Sequence, residues 1–272
     1  MQLRGASALI TGGGGGIGRA TALRFAREGV CRLVLVDVDL AAVERTAELA
    51  AAAGARTWVR RVDVSSSAEM EALARWVADE PGVPDIIVNN AGIGVAGPFL
   101  ATPLPVLERL VAVNLWGVVH GCRLFAPQMR RRGRGGHIVN VASAAAFAPS
   151  TILPAYGMTK AAVVMLSESL RIELARDRIG VSAVCPGIVA TDIVHTTTYV
   201  AHEEQTAVSS RRAAIDLYRR RNYGPERVAG RIVAAIRHNR AVAPVTAEAF
   251  LLRGLSRFAP GVLRRLGAAV TL

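Results

Sequence analysis

Ala6-Ser-Ala-Leu-Ile-Thr-Gly-Gly-Gly-Gly-Gly-Ile-Gly18 leads directly into Arg19-Ala-Thr-Ala-Leu-Arg-Phe-Ala-Arg-Glu28, which stops at Gly29. The first five residues form a short apolar strand. The glycine run makes a turn, and the apolar spacing that follows is helical and ends on a glycine. In such a strand–turn–helix unit the glycines let the backbone approach a pyrophosphate. The helix N-terminus adds free N–H groups and a favourable dipole. The spacing is T-G-x-x-x-G-x-G, through Thr11, Gly12, Gly16 and Gly18, which places Gly12, Gly15, Gly16, Ile17 and Gly18 against a bound dinucleotide.

The next strand, Arg32-Leu-Val-Leu-Val-Asp37, ends in an acid about twenty residues past the loop, where a carboxylate accepts hydrogen bonds from an adenosine ribose. A carboxylate there also repels a 2′-phosphate, and no basic residue follows at once. NAD is therefore favoured as cofactor, with NADP as the alternative. Asp39 is the better N-cap for the helix at 40–53. Strands at 57–62 and 85–88, the second running into Asn89-Asn-Ala-Gly92, alternate with helical stretches. This rhythm predicts βαβ repeats and a single α/β domain: a Rossmann-type, doubly wound parallel sheet with helices on both faces. Asn90, Ala91 and Gly92 fall at a strand's carboxyl end, where open parallel sheets bind ligands.

Composition narrows the class. The 272 residues are 51% hydrophobic and 20% charged, which suits one globular domain with a full core. No uninterrupted apolar run is long enough to cross a bilayer, and the first residues lack a signal-peptide layout. Cys31, Cys122 and Cys185 lie far apart in apolar stretches, without metal or disulfide spacing. They are expected to be three buried thiols in a cytoplasmic protein, with no metal site. The net charge of +12 raises nucleic-acid binding, but the arginines are scattered and aromatics are 5%, too few for base stacking. Arg130-Arg-Arg-Gly-Arg134 fits a helix C-terminus, where cations complement the macrodipole.

The chemistry is carried by the segment from Ser143 to Lys160. Ser143 ends the apolar run His137-Ile-Val-Asn-Val-Ala142, and Tyr156 and Lys160 stand four apart at the start of a long helix, on one face. Lys160 is the only lysine in the chain. A nearby ammonium favours phenolate and makes tyrosine a workable general acid/base, while Ser143 can hold the oxygen of an alcohol or ketone. Asn114 sits inside an apolar helical stretch at 103–132. It either serves a helix kink or links a water chain to the site. After the strand Gly180-Val-Ser-Ala-Val-Cys185 comes Pro186-Gly-Ile-Val-Ala-Thr-Asp-Ile193.

Taken together, these motifs resemble the short-chain dehydrogenase/reductase family over residues 3–245. The resemblance implies a sheet of about seven strands and a homodimer or homotetramer. It makes Asn114, Ser143, Tyr156 and Lys160 the catalytic set of an NAD(P)-dependent enzyme interconverting a secondary alcohol and a ketone. It places Asp63 and Val64 at the adenine and Asn90 at the adjoining ribose. Val189 and Thr191, after Pro186 and Gly187, would meet the nicotinamide amide.

The segments expected to line the substrate pocket are 93–99, 144–149 and 193–223. The first two are apolar and uncharged, which predicts a lipophilic substrate. The third holds His195 and His202, read as surface or capping residues within a mobile lid at about 190–225. The domain runs over 1–246. The tail at 247–272 mixes apolar and arginine residues around Pro260. Two short helices packed on the fold or on a partner subunit are preferred for it over a basic foot on a membrane. Two other functions compete with the enzyme: a non-catalytic dinucleotide-binding regulator, and a modification domain of a larger biosynthetic assembly.

Overall fold

The computed structural model describes residues 1–201 and 204–269. The chain begins with β1 (Ser7–Thr11), α1 (Gly16–Arg27), β2 (Arg32–Asp37), α2 (Leu40–Ala52), β3 (Arg56–Arg61), α3 (Ser67–Asp79) and β4 (Ile86–Asn89). After a two-residue strand β5 (Val95–Ala96) come α4 (Leu104–Val111), α5 (Gly117–Arg132), β6 (Gly136–Val141), α6 (Pro154–Glu173) and β7 (Ile179–Cys185). The remainder holds α7 (Ile193–Thr196), β8 (Thr198–Tyr199), α8 (Glu204–Arg221), α9 (Pro225–Arg237), β9 (Val242–Pro244), α10 (Ala247–Phe258) and α11 (Pro260–Ala269).

Seven strands form one parallel sheet in the order β3-β2-β1-β4-β6-β7-β9. The central strands are buried on both faces, which is why they read as unbroken apolar runs. One face is covered by α1, α2 and α9 through Phe25, Val43, Val228 and Ile232. The other is covered by α3, α5 and α6 through Met70, Leu73, Phe125, Met129 and Val163. The chain order reverses between β1 and β4, so a crevice opens at their carboxyl ends. Open α/β sheets bind ligands at such a crevice.

Local signals act as their chemistry demands. Asp39 caps α2 by accepting from Ala42 N–H at 2.9 Å, and Ser66 caps α3 by accepting from Glu69 N–H at 3.2 Å. The arginine cluster ends α5, and Gly133 at φ 73° closes it in the left-handed region.

One expectation is revised. Cys31 is exposed, in the turn that enters β2 at the rim of the sheet, so only Cys122 and Cys185 are buried thiols. The stretch from Leu104 to Arg132 is long and apolar enough to cross a membrane by length and composition. Here it runs along the sheet, with Val113, Val118, Phe125 and Met129 buried, as a core helix does. Within the segment expected as a lid, β8 pairs in parallel with β5. His202 lies outside the described residues.

Candidate active site

The glycine loop is built for close approach. A Cβ at Gly18 would lie 1.9 Å from the Gly12 carbonyl oxygen, and one at Gly12, itself at φ +65°, would lie 2.8 Å from Asn90 Nδ2. Only glycine allows this cradle to close. Gly15 is the N-cap of α1 and offers no capping side chain, which leaves Gly16 and Ile17 at a helix N-terminus free to face an anion. Asp37 at the end of β2 accepts from Gly14 N–H at 2.9 Å through one oxygen and from Asp39 N–H at 3.1 Å through the other. Its half-exposed carboxylate is thus held beside the loop with lone pairs to spare for ribose hydroxyls. These residues fit a dinucleotide.

The other cofactor candidates divide into groups. Asn90 spends its amide N–H groups on the carbonyls of Thr11 and Gly12, at 3.0 Å each, and so braces the loop. Thr11 Oγ1 accepts from the N–H groups of Asn90 and Ala91. Asp63 accepts from Ser65 and pairs with Arg109 at 3.0 Å. Burial raises its carboxyl pKa, but the Ser65 hydrogen bonds and the Arg109 charge outweigh that and hold it below the ordinary value. The Val64 carbonyl accepts from His120 Nδ1 at 2.9 Å, which fixes that tautomer. Val189 is buried, and Thr191 abuts Gly16, whose added Cβ would meet Thr191 Cβ at 3.3 Å. Pro186 and Gly187 lie beside Ser143 and the first turn of α10, respectively.

Ser143 ends β6 as the cap of a turn at 144–147. Its Oγ accepts from Ala145 N–H at 3.2 Å and points its proton toward the Pro186 carbonyl at 3.5 Å. That turn presses on the start of α6, where a Cβ at Gly157 would come within 3.0 Å of Ala145 O. A side chain at Gly157 would have to push that turn back by a few tenths of an ångström, so the turn carrying Ser143 and the helix carrying Tyr156 are in close contact there. One turn on, Lys160 is buried, donates to the Val141 carbonyl at 3.0 Å, and lies 5.7 Å from the centre of the Tyr156 ring. Burial lowers the Lys160 pKa to about 8.

Asn114 completes the group. A π-turn at Ala112–Trp116 joins α4 to α5 and places Asn114, fully buried, against Ile93. Its Oδ1 accepts from Ile93 N–H at 2.8 Å and its Nδ2 donates to Ile93 O at 2.9 Å. A Cβ at Gly92 would sit 3.2 Å from Asn114 Oδ1 and 3.4 Å from Lys160 Nζ, so both side chains converge on Gly92. Tyr156 packs beside an apolar cluster that includes Val95, Leu110 and Val200. Among the described residues, no group of histidine, cysteine and carboxylate side chains could hold a metal. A cleft of about 380 Å³ lies to the other side of Thr191, between Gly16 and Arg19 of α1, His195, and Arg219 of α8.

Residues 6–200 match the model of the family described as short chain dehydrogenase. The chain belongs to the short-chain dehydrogenase/reductase family. A short-chain dehydrogenase/reductase from Burkholderia phymatum, crystallised with NAD, superposes over all of both chains with a TM-score of 0.90 at 31% identity. "Probable oxidoreductase EphD" of Mycobacterium tuberculosis is 48% identical over 257 residues, 94% of this chain and 43% of its own. The chain thus spans less than half the length of that relative. The "1-deoxy-11-beta-hydroxypentalenate dehydrogenase" of Streptomyces exfoliatus is 36% identical over 196 residues, 71% of each chain.

Proposed function

We propose that this chain oxidises a lipophilic secondary alcohol to a ketone, or the reverse, with NAD preferred over NADP. The observation that carries the reading is the buried Lys160 beside the Tyr156 ring, in a helix whose first turn lies close against the turn that carries Ser143. Bound nicotinamide would supply the hydride acceptor or donor. The chain's own residues do the rest. Ser143 donates its hydroxyl proton to the substrate oxygen and orients it. Tyr156 takes the alcohol proton during oxidation and returns it during reduction. Lys160, still largely protonated at neutral pH, favours loss of the phenol proton. Asn114 fixes the backbone of Ile93 beside Gly92, and so the wall against which Lys160 lies.

NAD preference rests on Asp37, held at the loop by Gly14, where it would repel a 2′-phosphate; the Burkholderia relative was crystallised with NAD. The lipophilic class rests on the uncharged segments at 93–99 and 144–149, and on the apolar cluster beside Tyr156. The dehydrogenase of Streptomyces is named for a hydroxy compound, the same reaction class. We propose further that the protein is a cytoplasmic homodimer or homotetramer; exposed Met165 and Ile172 on α6 support the assembly.

A second reading, a module of a larger biosynthetic polypeptide, is favoured by the length of the mycobacterial relative, of which this chain spans 43%. The test is reduction of NAD, then NADP, read by nicotinamide absorbance across a panel of lipophilic secondary alcohols. Tyr156→Phe should lower kcat by about 10²–10⁴-fold. Turnover with NADP alone would overturn the Asp37 argument.

A further inference from the structure

Helix α10 is apolar on two sides and buries only one. Ala247, Phe250, Leu251 and Phe258 share one side of it by helical spacing, and that side faces solvent: Phe258 is 89% exposed and Leu251 61%. The inward side carries fully buried Ala249 and half-buried Leu252, flanked by Leu255, Glu248, Arg253 and Ser256. A helix on a globular domain ordinarily turns its apolar stripe to the core. Val262 and Leu266 continue the exposed apolar surface onto α11. The hairpin is fixed in this pose. Leu263 is buried, a Cβ at Gly267 would lie 2.5 Å from Pro149 O, and Glu248 accepts from Ile188 N–H at 3.2 Å.

We propose that this face docks on an anionic lipid surface. Arg257, Arg264 and Arg265 are exposed on the same two helices. Glu248 is the one carboxylate among residues 247–272, and it is engaged by Ile188 and Arg221. Exposed phenylalanine and leucine flanked by arginine, on a chain of net charge +12, is the composition of an interfacial helix. A second copy docking through the same hairpin would bring no free carboxylate side chain to meet these arginines.

The test is co-sedimentation of the full chain with phosphatidylcholine vesicles and with equimolar phosphatidylcholine/phosphatidylglycerol vesicles, at low and high salt. Binding is expected to the anionic vesicles and to fall with salt. The Leu251→Ser/Phe258→Ser variant, folded by circular dichroism, should bind about tenfold or more weakly. Arg257→Gln/Arg264→Gln/Arg265→Gln should lose most of the salt-sensitive part. A wild-type chain that stays in the supernatant overturns the proposal. So does a serine variant that binds as well as wild type, because net charge alone then accounts for binding. Light scattering that shows the serine variant dissociating a wild-type oligomer overturns it too, since a second copy then covers the face.

Discussion

Lys160 shows how a site can work against the fold that carries it. Burial lowers its pKa from the ordinary 10.5 to about 8, a cost of roughly 3 kcal/mol to the folded chain at neutral pH. Below about pH 8 both folded and unfolded chains hold the proton, and the folded one bears the full penalty. Between about 8 and 10.5 the folded chain has released a proton that the unfolded chain keeps, so stability rises with pH through that window. Lys160→Met should therefore be the more stable protein at pH 7, by about 1–3 kcal/mol in urea unfolding, and should be inactive. Its advantage should shrink when the measurement is repeated at pH 10. A lysine variant equal to wild type at both pH values would mean that the ammonium is well solvated. The residue itself was plain in the sequence, four positions after Tyr156 and alone of its kind. Its burial and its Val141 partner were not, because they depend on where α6 lands on β6.

At the scale of elements, the helical run from Leu104 to Arg132 holds the least legible feature near the site. Apolar periodicity cannot distinguish a straight helix from one with a single wider turn, so the π-turn at Ala112–Trp116 left no mark in the pattern beyond a polar residue in an apolar stretch. Asn114 was legible as a polar group needing partners; that both partners are the backbone of one residue, Ile93, was not. Asn114→Ala strands the Ile93 N–H and carbonyl, and should lower stability by about 1–3 kcal/mol in urea titration, with kcat falling as the Gly92 wall shifts. Unchanged unfolding would show that water replaces the amide. The glycine loop is the opposite case, since its geometry forces the residue types and the spacing alone carries it. The tail lies between. Its spacing revealed two amphipathic helices divided near Pro260, but amphipathicity says nothing about which side faces the protein.

Across the whole molecule, one carboxylate ties regions far apart in the chain. Glu248, at the start of α10, accepts from Ile188 N–H in the segment after β7 and pairs with Arg221 at the end of α8. The segment that leads to Val189 and Thr191, the helix that borders the cleft, and the C-terminal hairpin are thereby linked. Glu248→Ala should leave the melting temperature nearly unchanged, because the Arg221 pair is partly exposed. It should raise KM for NAD severalfold, by loosening the segment behind Thr191, as measured by initial rates. An unaltered KM would show that Ile188 is held by other means. Little of this was legible beforehand. The expectation of buried cysteines failed at Cys31 for a related reason: an apolar neighbourhood in the chain does not say how close a residue stands to the rim.

The seven strands all run one way, so the reactive groups gather at one rim of the sheet, and the opposite rim is a floor. There Arg132 grips Asp85 at 2.8 Å, Asp85 holds Ser7, and His137 donates to Ser182, which donates in turn to Arg240 O. The Met1 ammonium reaches the Arg237 carbonyl at 3.4 Å, and Met1 shares a hollow with Asp85, His137 and Gly180 on that same floor. A handle joined at residue 1, whether a tag, a bead or a sensor surface, would hold the domain by that floor with the carboxyl ends of its strands turned outward.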